Sequence, residues 1–161
     1  MSILGTRVVR VEDPRFLTGQ GTYIANLPLE GAVHVTYVRS SMAHARVLSV
    51  DTSEALSMPG ILHVWTAADI NLEPARADMR MLNQEMKFPF IASDTVRFVG
   101  DVVAMVVSEE KSQGVDAAEA VIVDYEPLPT LIDVDESLRG DVLLHPDAGT
   151  NVVLKFANDD Q

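Results

Sequence analysis

A chain of 161 residues, 47% of them hydrophobic, suits one domain with a substantial core and room for an arm or tail. Its 24 acidic and 12 basic side chains give a net charge of −12, which disfavours nucleic acid and anionic membrane as partners, because both require a basic surface. The chain has no cysteine, which excludes disulfides, thiolate zinc sites and iron–sulfur clusters held by this chain. This composition fits a reducing cytoplasm, where we expect the protein to be located without membrane insertion.

The first part of the chain predicts an arm followed by two strands. Residues 1–29 are rich in turn-forming and charged residues and lack periodicity, so we predict an extended arm there. The segment AVHVTYV then alternates, with Val33, Val35 and Tyr37 on one face, which predicts a strand. The segment ARVLSV predicts a second strand, and ILHVW, after Met58-Pro59-Gly60, predicts a third.

Two capping patterns flank the third predicted strand. Asp51 and Glu54 have the spacing of a helix-capping pair, which predicts a short helix over TSEALS. Thr66 and Asp69 repeat this pattern for a single turn. Periodicity then disappears over residues 71–86, which we interpret as a mobile loop.

A strand, a helix and a second strand are predicted next. Residues 102–107, VVAMVV, are uniformly apolar, which is typical of a central strand covered on both faces. Ser108 is a suitable N-cap for a helix that runs to about Ala120, with Val115 and Ala118 on its inner side. The segment VIVDY completes what we predict to be a right-handed crossover. The expected fold class is therefore α+β, with a mixed sheet.

No nucleotide-binding loop is predicted. The turn before the helix reads SEEKSQG, without the glycines that let a backbone approach a pyrophosphate. The negative charges of its two glutamates also disfavour the binding of a phosphate group. Gly100 precedes the strand, at the wrong end for such a loop, and we interpret it as a structural turn glycine with positive φ.

Neither a metal site nor a catalytic group is predicted. The four histidines are His34, His44, His63 and His145, and no two have the i, i+4 spacing of a helical zinc site. The carboxylates fall in segments predicted to be exposed, and no serine has a nucleophile-elbow context. We therefore name no catalytic, cofactor-binding or metal-binding residue in this chain.

The loop RSSMAHARV is the candidate contact surface. Ser41, Met42 and His44 lie there among small residues, between two predicted strands. Small residues allow close approach, so these three are predicted to form an interdomain contact, and the loop would then bury little within its own domain. An ordinary tight connection between two strands is the alternative.

Four stretches, in order, resemble the N-terminal region of the molybdenum hydroxylase large subunit. They are RVEDPRFLTGQGTY; HVTYVRSSMAHARVLSVDTSEALSMPGILHVWTAADI; FPFIASDTVRFVGDVVAMVVSEEKSQGVDAAEAVIVDYEPLPTLIDVDESL; and LLHPDAGTNV. That superfamily contains xanthine dehydrogenase, aldehyde oxidase and aerobic carbon monoxide dehydrogenase, and the matching piece is its α/β hammerhead domain. The stretch EDPRFLTG is most similar to the bacterial carbon monoxide dehydrogenase large chain.

The resemblance implies that this chain contributes one domain and that the cofactors are bound elsewhere. It implies an arm over residues 1–29, a hammerhead domain over 30–138, and a linker tail over 139–161 leading to a molybdenum-cofactor domain. The molybdenum–pterin cofactor would belong to the rest of the large subunit, and [2Fe–2S] clusters and FAD to partner subunits. Homo-oligomers are compatible with this arrangement.

The expected role is a structural and assembly domain that is not catalytic by itself. The expected origin is a truncated chain, a split gene product or a proteolytic fragment. The alternative is a free-standing hammerhead module that binds a partner without enzyme activity. A small independent enzyme is disfavoured, because the sequence has no catalytic motif.

Overall fold

The computed structural model describes residues 4–5, 10–24, 27, 29–70, 72–76 and 79–155, and the chain divides into two compact units, Met1–Ala32 and Val33–Gln161. The first unit contains helix α1 (Asp13–Leu17), which has a proline in its first turn. Proline presets the φ angle that a helix needs at its start. The sequence prediction of an arm without regular structure missed α1, because five residues are too few to show helical periodicity.

The second unit contains two three-stranded sheets. Its strands are β1 (His34–Arg39), β2 (Ala45–Asp51), β3 (Ile61–Thr66), β4 (Thr95–Val96), β5 (Val102–Ser108) and β6 (Ile122–Pro127). Sheet A has the order β1-β5-β3, and sheet B has the order β4-β2-β6. Every pairing in both sheets is antiparallel.

In the described residues, three α-helices and one 3₁₀-helix (Pro146–Ala148) accompany the sheets; the α-helices are α2 (Ser53–Ser57), α3 (Lys111–Glu119) and α4 (Val134–Arg139). The predicted α+β fold class is confirmed. The predicted crossover within one mixed sheet is wrong, because β5 lies in sheet A whereas β6 pairs with β2 in sheet B. Helix α3 therefore links two antiparallel sheets. The alternation of β6 suits this position, since Val123 and Tyr125 are half-buried, whereas Ile122, Asp124 and Glu126 are exposed.

The start of α3 differs from the prediction. Its N-cap is Glu110, which forms a capping box with Gln113. The backbone N–H of Glu110 donates to Gln113 Oε1 over 2.9 Å. Ser108, the predicted cap, is instead the last residue of β5, and its buried hydroxyl donates to the Glu110 carbonyl over 2.8 Å.

The inner side of α3 differs in part from the prediction, because Ala118 packs against the core as predicted but Val115 does not. Gly114 and Ala117 are its buried residues, whereas Val115 is exposed. A Cβ at Gly114 would lie 2.6 Å from Ser108 Oγ and 2.7 Å from Thr36 Oγ1. The helix therefore approaches sheet A closely because residue 114 has no side chain.

The core lies between α3, α2 and the inner faces of the sheets. Strand β5 is its centre, as its uniform apolarity predicts. The buried cluster consists of Val38, Ala45, Ala55, Val64, Ala92, Val96, Val103, Ala104, Val106, Ala117 and Val121. Because most of these residues are small, the elements can pack closely.

Both predicted capping pairs form turns rather than helix caps. Asp51 Oδ1 accepts hydrogen bonds from Ser53, at 2.9 Å from its backbone N and 2.6 Å from its hydroxyl, while the N-cap of α2 is Thr52. Asp69 Oδ2 accepts from Thr66 N and Thr66 Oγ1 at 2.8 Å each. These hydrogen bonds hold the pKa of each carboxyl below its ordinary value.

Candidate functional site

The loop between β1 and β2 is attached to its own domain. Ser40 is buried, and its backbone N–H donates to the Asp101 carbonyl over 2.8 Å. The Ser40 carbonyl accepts from Gly100 N–H at 2.8 Å, where Gly100 has a φ of +97°. Ser41 is exposed, and Met42 packs against the core from a half-buried position.

His44 is buried within the domain, with 6% of its surface exposed. Its Nδ1 lies 2.7 Å from the Pro129 carbonyl oxygen, so Nδ1 carries the proton in this contact. The His44 carbonyl in turn accepts from Leu128 N–H at 3.0 Å. The expectation that the loop buries little is therefore wrong at His44, which joins the loop to the segment after β6. The role of Ser41, Met42 and His44 as an interdomain contact remains a prediction.

Two surface cavities adjoin at Arg97, with volumes of about 190 and 390 Å³. Both are lined by Asp94, Arg97, Pro146 and Asp147. The larger one also contains His44 and Arg46, and the smaller one contains Lys87, Glu85 and His145. Acidic and basic groups both line each cavity, so neither favours a ligand of one charge.

Arg97 directs its donors at backbone carbonyls. Its Nε donates to Leu144 O over 2.8 Å, and its Nη1 donates to Thr95 O over 3.1 Å. Its backbone N–H donates to Asp101 Oδ2 over 3.0 Å. Within the described ranges it forms no salt bridge with a carboxylate. Arg97 thus joins sheet B to the C-terminal segment.

Asn151 organises that C-terminal segment. Its Oδ1 accepts from Leu144 N at 3.0 Å, and its Nδ2 donates to Val142 O at 2.7 Å and to Ser137 O at 3.2 Å. The segment is also tied to the domain where Asn83 N donates to Val153 O over 2.8 Å. Residues 139–155 therefore have defined attachments, although the assignment of 139–161 as a linker remains a prediction.

His145 lies beside Arg97 and Phe88. The Phe88 and His145 rings meet edge-on, with centroids 5.2 Å apart. Burial lowers the pKa of His145 below its ordinary value, and the positive charge of Arg97 lowers it further. His145 is consequently neutral at neutral pH and serves as a packed ring in this structure.

The outer face of sheet A, on the side away from α3, has a different character. We define it by six residues in two cross-strand rows: Val35, Val107 and His63, and Tyr37, Met105 and Trp65. The His63 and Trp65 rings meet edge-on at 5.1 Å, and the Arg39 guanidinium lies 5.4 Å from the Tyr37 ring centroid. Five of the six side chains are apolar or aromatic, and the sixth is His63.

The described part of the chain contains no group of three or more His, Asp or Glu placed to hold a metal ion. No helix within it is long and apolar enough to cross a membrane. Around the two cavities, His44 and Arg97 bond to backbone carbonyls, while Lys87 pairs with Glu85 at 3.8 Å. His44, Arg97 and Asn151 attach separate segments of the domain to one another.

The family of this chain is decided by its central region. Residues 18–129 match the family model described as "Aldehyde oxidase and xanthine dehydrogenase, a/b hammerhead domain". This chain belongs to that family. The resemblance predicted from the sequence motifs is confirmed. The hammerhead match includes Ser41, Met42, His44, Arg97 and Gly100 and ends before the C-terminal segment.

Two large subunits and one solved structure illustrate the similarity. The chain is 36% identical over 157 residues to the nicotine 6-hydroxylase large subunit of Paenarthrobacter nicotinovorans, covering 96% of this chain and 19% of that protein. It is 41% identical over 142 residues to the carbon monoxide dehydrogenase large chain of Afipia carboxidovorans, covering 88% and 17% respectively. The crystal structure of Cu,Mo-CO dehydrogenase in its carbon monoxide reduced state superposes with a TM-score of 0.67 at 38% identity, covering 86% of this chain and 17% of that one.

The hammerhead chain thus spans less than a fifth of the relatives that it matches. Sequence reasoning did not identify Arg97 or Asn151 as attachment points within it. Both are isolated polar residues in loops, and their partners are backbone carbonyls that carry no sequence signal. Their positions within TVRFVGD and LLHPDAGTNV, two stretches that resemble the family, were the only signal that could have found them.

Proposed function

We propose that this chain is the N-terminal structural and assembly domain of the large subunit of a molybdenum-containing hydroxylase. The observation that carries this proposal is the hammerhead match over residues 18–129 of this chain. The relatives are named as a large subunit and a large chain, and they are about five times as long as this chain. The activity of the whole enzyme would be of the carbon monoxide, aldehyde or xanthine type. Catalysis would take place in the remainder of the large subunit.

The proposal places every cofactor outside this domain. A molybdenum–pterin cofactor would lie in the rest of the large subunit, and [2Fe–2S] clusters and FAD would lie on partner subunits in the cytoplasm. Cu and Mo in the name of one structural relative support the metal, and the words "large subunit" and "large chain" support smaller partners. The occupation of His44 Nδ1 and Arg97 Nε by backbone carbonyls supports a position of the cofactors away from these two residues.

Purification from the native host tests this function. An affinity tag on the chromosomal gene should recover the chain with the remaining large-subunit polypeptide and the iron–sulfur and flavin subunits. That complex should contain molybdenum, iron and flavin by metal analysis and visible absorption. The 161-residue chain produced alone should contain none of them.

Two outcomes would contradict the proposal. Stoichiometric molybdenum or flavin bound to the chain alone would place a cofactor site within it. Recovery of the tagged native protein without any molybdenum-containing polypeptide would favour the alternative, a free-standing hammerhead module.

A further inference from the structure

We propose that the outer face of sheet A, defined above, is the surface through which this domain docks onto the remainder of the large subunit. The inference rests on the proposed function, because that function supplies the docking partner. It names a different surface from the loop of Ser41, Met42 and His44.

The exposure of this face is the first observation. Val35 and Tyr37 are 49% and 48% exposed in the described structure. Trp65 and Met105 are half-buried and continue the row of Tyr37 across the sheet, whereas Val107, between Val35 and His63, is buried with 7% of its surface exposed. An antiparallel sheet that has one face in water ordinarily carries polar residues on that face. Here the rows of side chains are mostly apolar, which marks a surface that becomes covered.

Sheet B provides an internal comparison. Its outward residues are Arg46, Ser49 and Asp51 of β2, paired with Glu126, Asp124 and Ile122 of β6. Arg46 and Glu126 form an exposed ion pair at 3.6 Å. Apart from Ile122 and the bulged Leu48, which are 61% and 57% exposed, this face is polar, as expected for a sheet surface that stays in water. The outer face of sheet B is therefore suited to water, whereas the outer face of sheet A is suited to contact with another apolar surface.

The polar atoms of the sheet A face indicate the chemistry of its partner. Within the described residues, neither the Tyr37 hydroxyl nor the Trp65 indole N–H has a hydrogen-bond partner. Tyrosine and tryptophan are enriched at interfaces because their large apolar rings carry one polar group that can be satisfied there. None of the six residues is acidic, although the chain has 24 acidic side chains. The matching surface is therefore apolar, with hydrogen-bond acceptors.

The length of the relatives identifies that partner. The chain covers 17% to 19% of the large subunits that it matches, so more than four-fifths of such a polypeptide lies outside the structure. A neighbouring domain of the same polypeptide is present at high effective concentration, whereas a separate partner must be recruited from solution. Interfaces between domains of one chain commonly bury about 600–1,500 Å². A face of six residues that spans three strands fits the centre of such an interface.

Charge substitutions in the complete subunit test the proposal. Val35→Asp and Tyr37→Asp are made in the full-length large subunit, expressed with its partner subunits. Ile122→Asp is the matched control, since Ile122 is an apolar strand residue on the outward face of sheet B and is 61% exposed. An uncompensated charge in an interface costs several kcal/mol, so each sheet A variant should lower the yield of assembled, molybdenum-containing enzyme about tenfold or more. The control should stay within about twofold of the unsubstituted enzyme, as expected for an exposed substitution.

Hydroxyl-radical footprinting of the unsubstituted complex provides an independent measurement, which does not depend on the folding of a variant. Modification of Tyr37, Trp65 and Met105 is compared with that of the same residues in complex unfolded by urea. We expect all three to be strongly protected. Modification of Tyr37 at the level of a half-exposed side chain would overturn the proposal.

The outcomes separate this inference from the function on which it rests. If the unsubstituted chain does not assemble with a molybdenum-containing polypeptide, the proposed function fails. If it assembles and both aspartate variants assemble equally well, only the docking face is wrong. The docking inference would also be overturned if a second copy of the subunit protected this face. In that case the variants would be monomeric but still loaded with molybdenum.

Discussion

At the scale of single residues, His44 shows how a loop becomes part of a core. Its ring is buried, and its hydrogen bond spans 85 positions of the chain to Pro129. Loss of one partner of a buried hydrogen bond leaves the other without a partner, which costs about 1–3 kcal/mol, and the lost volume adds to this cost. The stability of the loop therefore depends on this histidine.

We expect His44→Ala to lower the free energy of unfolding by about 2–4 kcal/mol. His44→Asn should recover part of the loss, because its amide can still donate to the Pro129 carbonyl. Ser41→Ala, at an exposed position in the same loop, is the control and should change stability by less than about 0.5 kcal/mol. Chemical denaturation of the three variants measures these effects. Equal stability of His44→Ala and Ser41→Ala would contradict the burial of His44.

His145 predicts a pH dependence of stability. Its pKa in the folded protein lies below the ordinary value of 6.5, mainly because of burial and further because of Arg97. The unfolded chain therefore binds a proton first as the pH falls. The stability contributed by the neutral ring is fully present above pH 6.5 and is lost as the pH falls from there through the folded pKa.

We expect His145→Gln to flatten this part of the stability profile, because glutamine does not titrate. Thermal midpoints measured in steps on both sides of pH 6.5 follow the change. His34→Gln, at an exposed position of β1, is the matched control. A steep loss of stability below pH 6.5 that persists unchanged in His145→Gln would assign the effect to other groups.

At the scale of elements, the contact between α3 and sheet A depends on Gly114. A Cβ there would lie within 2.7 Å of two hydroxyl oxygens, Ser108 Oγ and Thr36 Oγ1. The Ser108 hydroxyl cannot move away without losing its hydrogen bond to Glu110 O at 2.8 Å. The position of the helix is therefore set by the absence of one methyl group.

We expect Gly114→Ala to lower the free energy of unfolding by about 1 kcal/mol or more. Overpacking costs about 1–3 kcal/mol, whereas a helical alanine recovers up to about 1 kcal/mol relative to glycine. Ser112→Ala, at an exposed position of the same helix, should leave stability unchanged or slightly raised. A thermal midpoint of Gly114→Ala at or above that of the unsubstituted protein would show that the helix can retreat without cost.

The C-terminal segment supplies a second prediction for an element. Asn151→Ala removes the hydrogen bonds to Leu144, Val142 and Ser137, each of which closes the turn after α4. We expect a loss of about 1–3 kcal/mol and faster hydrogen exchange of residues 141–155. Lys155→Ala, exposed in the same segment, is the control. Unchanged exchange in Asn151→Ala would mean that the contacts of Arg97 with Leu144 and of Asn83 with Val153 suffice to hold the segment.

At the scale of the whole molecule, two features oppose each other. A net charge of −12 keeps copies of the isolated chain apart, while the outer face of sheet A offers apolar surface for association. Salt weakens the charge repulsion between copies more than the apolar association, because the Debye length falls from about 10 Å at 0.1 M to about 3 Å at 1 M ionic strength.

We therefore expect the isolated chain to self-associate more strongly as salt concentration rises. Sedimentation velocity at low and high sodium chloride measures this association. Tyr37→Asp should reduce it, and Ile122→Asp should reduce it less. Association that is independent of salt, or equal in both variants, would show that another surface is responsible.

The sequence by itself determined the family and the local elements. The order of the quoted motifs predicted the hammerhead domain, which the match over residues 18–129 confirms. Alternation in AVHVTYV predicted β1 and its two faces, and the uniformly apolar VVAMVV predicted the central strand β5. These predictions succeeded because side-chain period and burial are local properties of a strand.

Only the tertiary structure decided which strands pair and which polar groups meet. The segment VIVDY reads as a strand wherever it is placed, and its pairing with β2 depends on the whole arrangement of both sheets. The inner side of α3 was set by the close approach of Gly114 to sheet A. Helical periodicity of apolar residues does not predict such a contact, because glycine has no side chain. The partners of His44 and Arg97 lie 85 and 47 positions away and are backbone carbonyls, which every residue carries. Contacts of that kind have no sequence pattern, so folding alone brings them together.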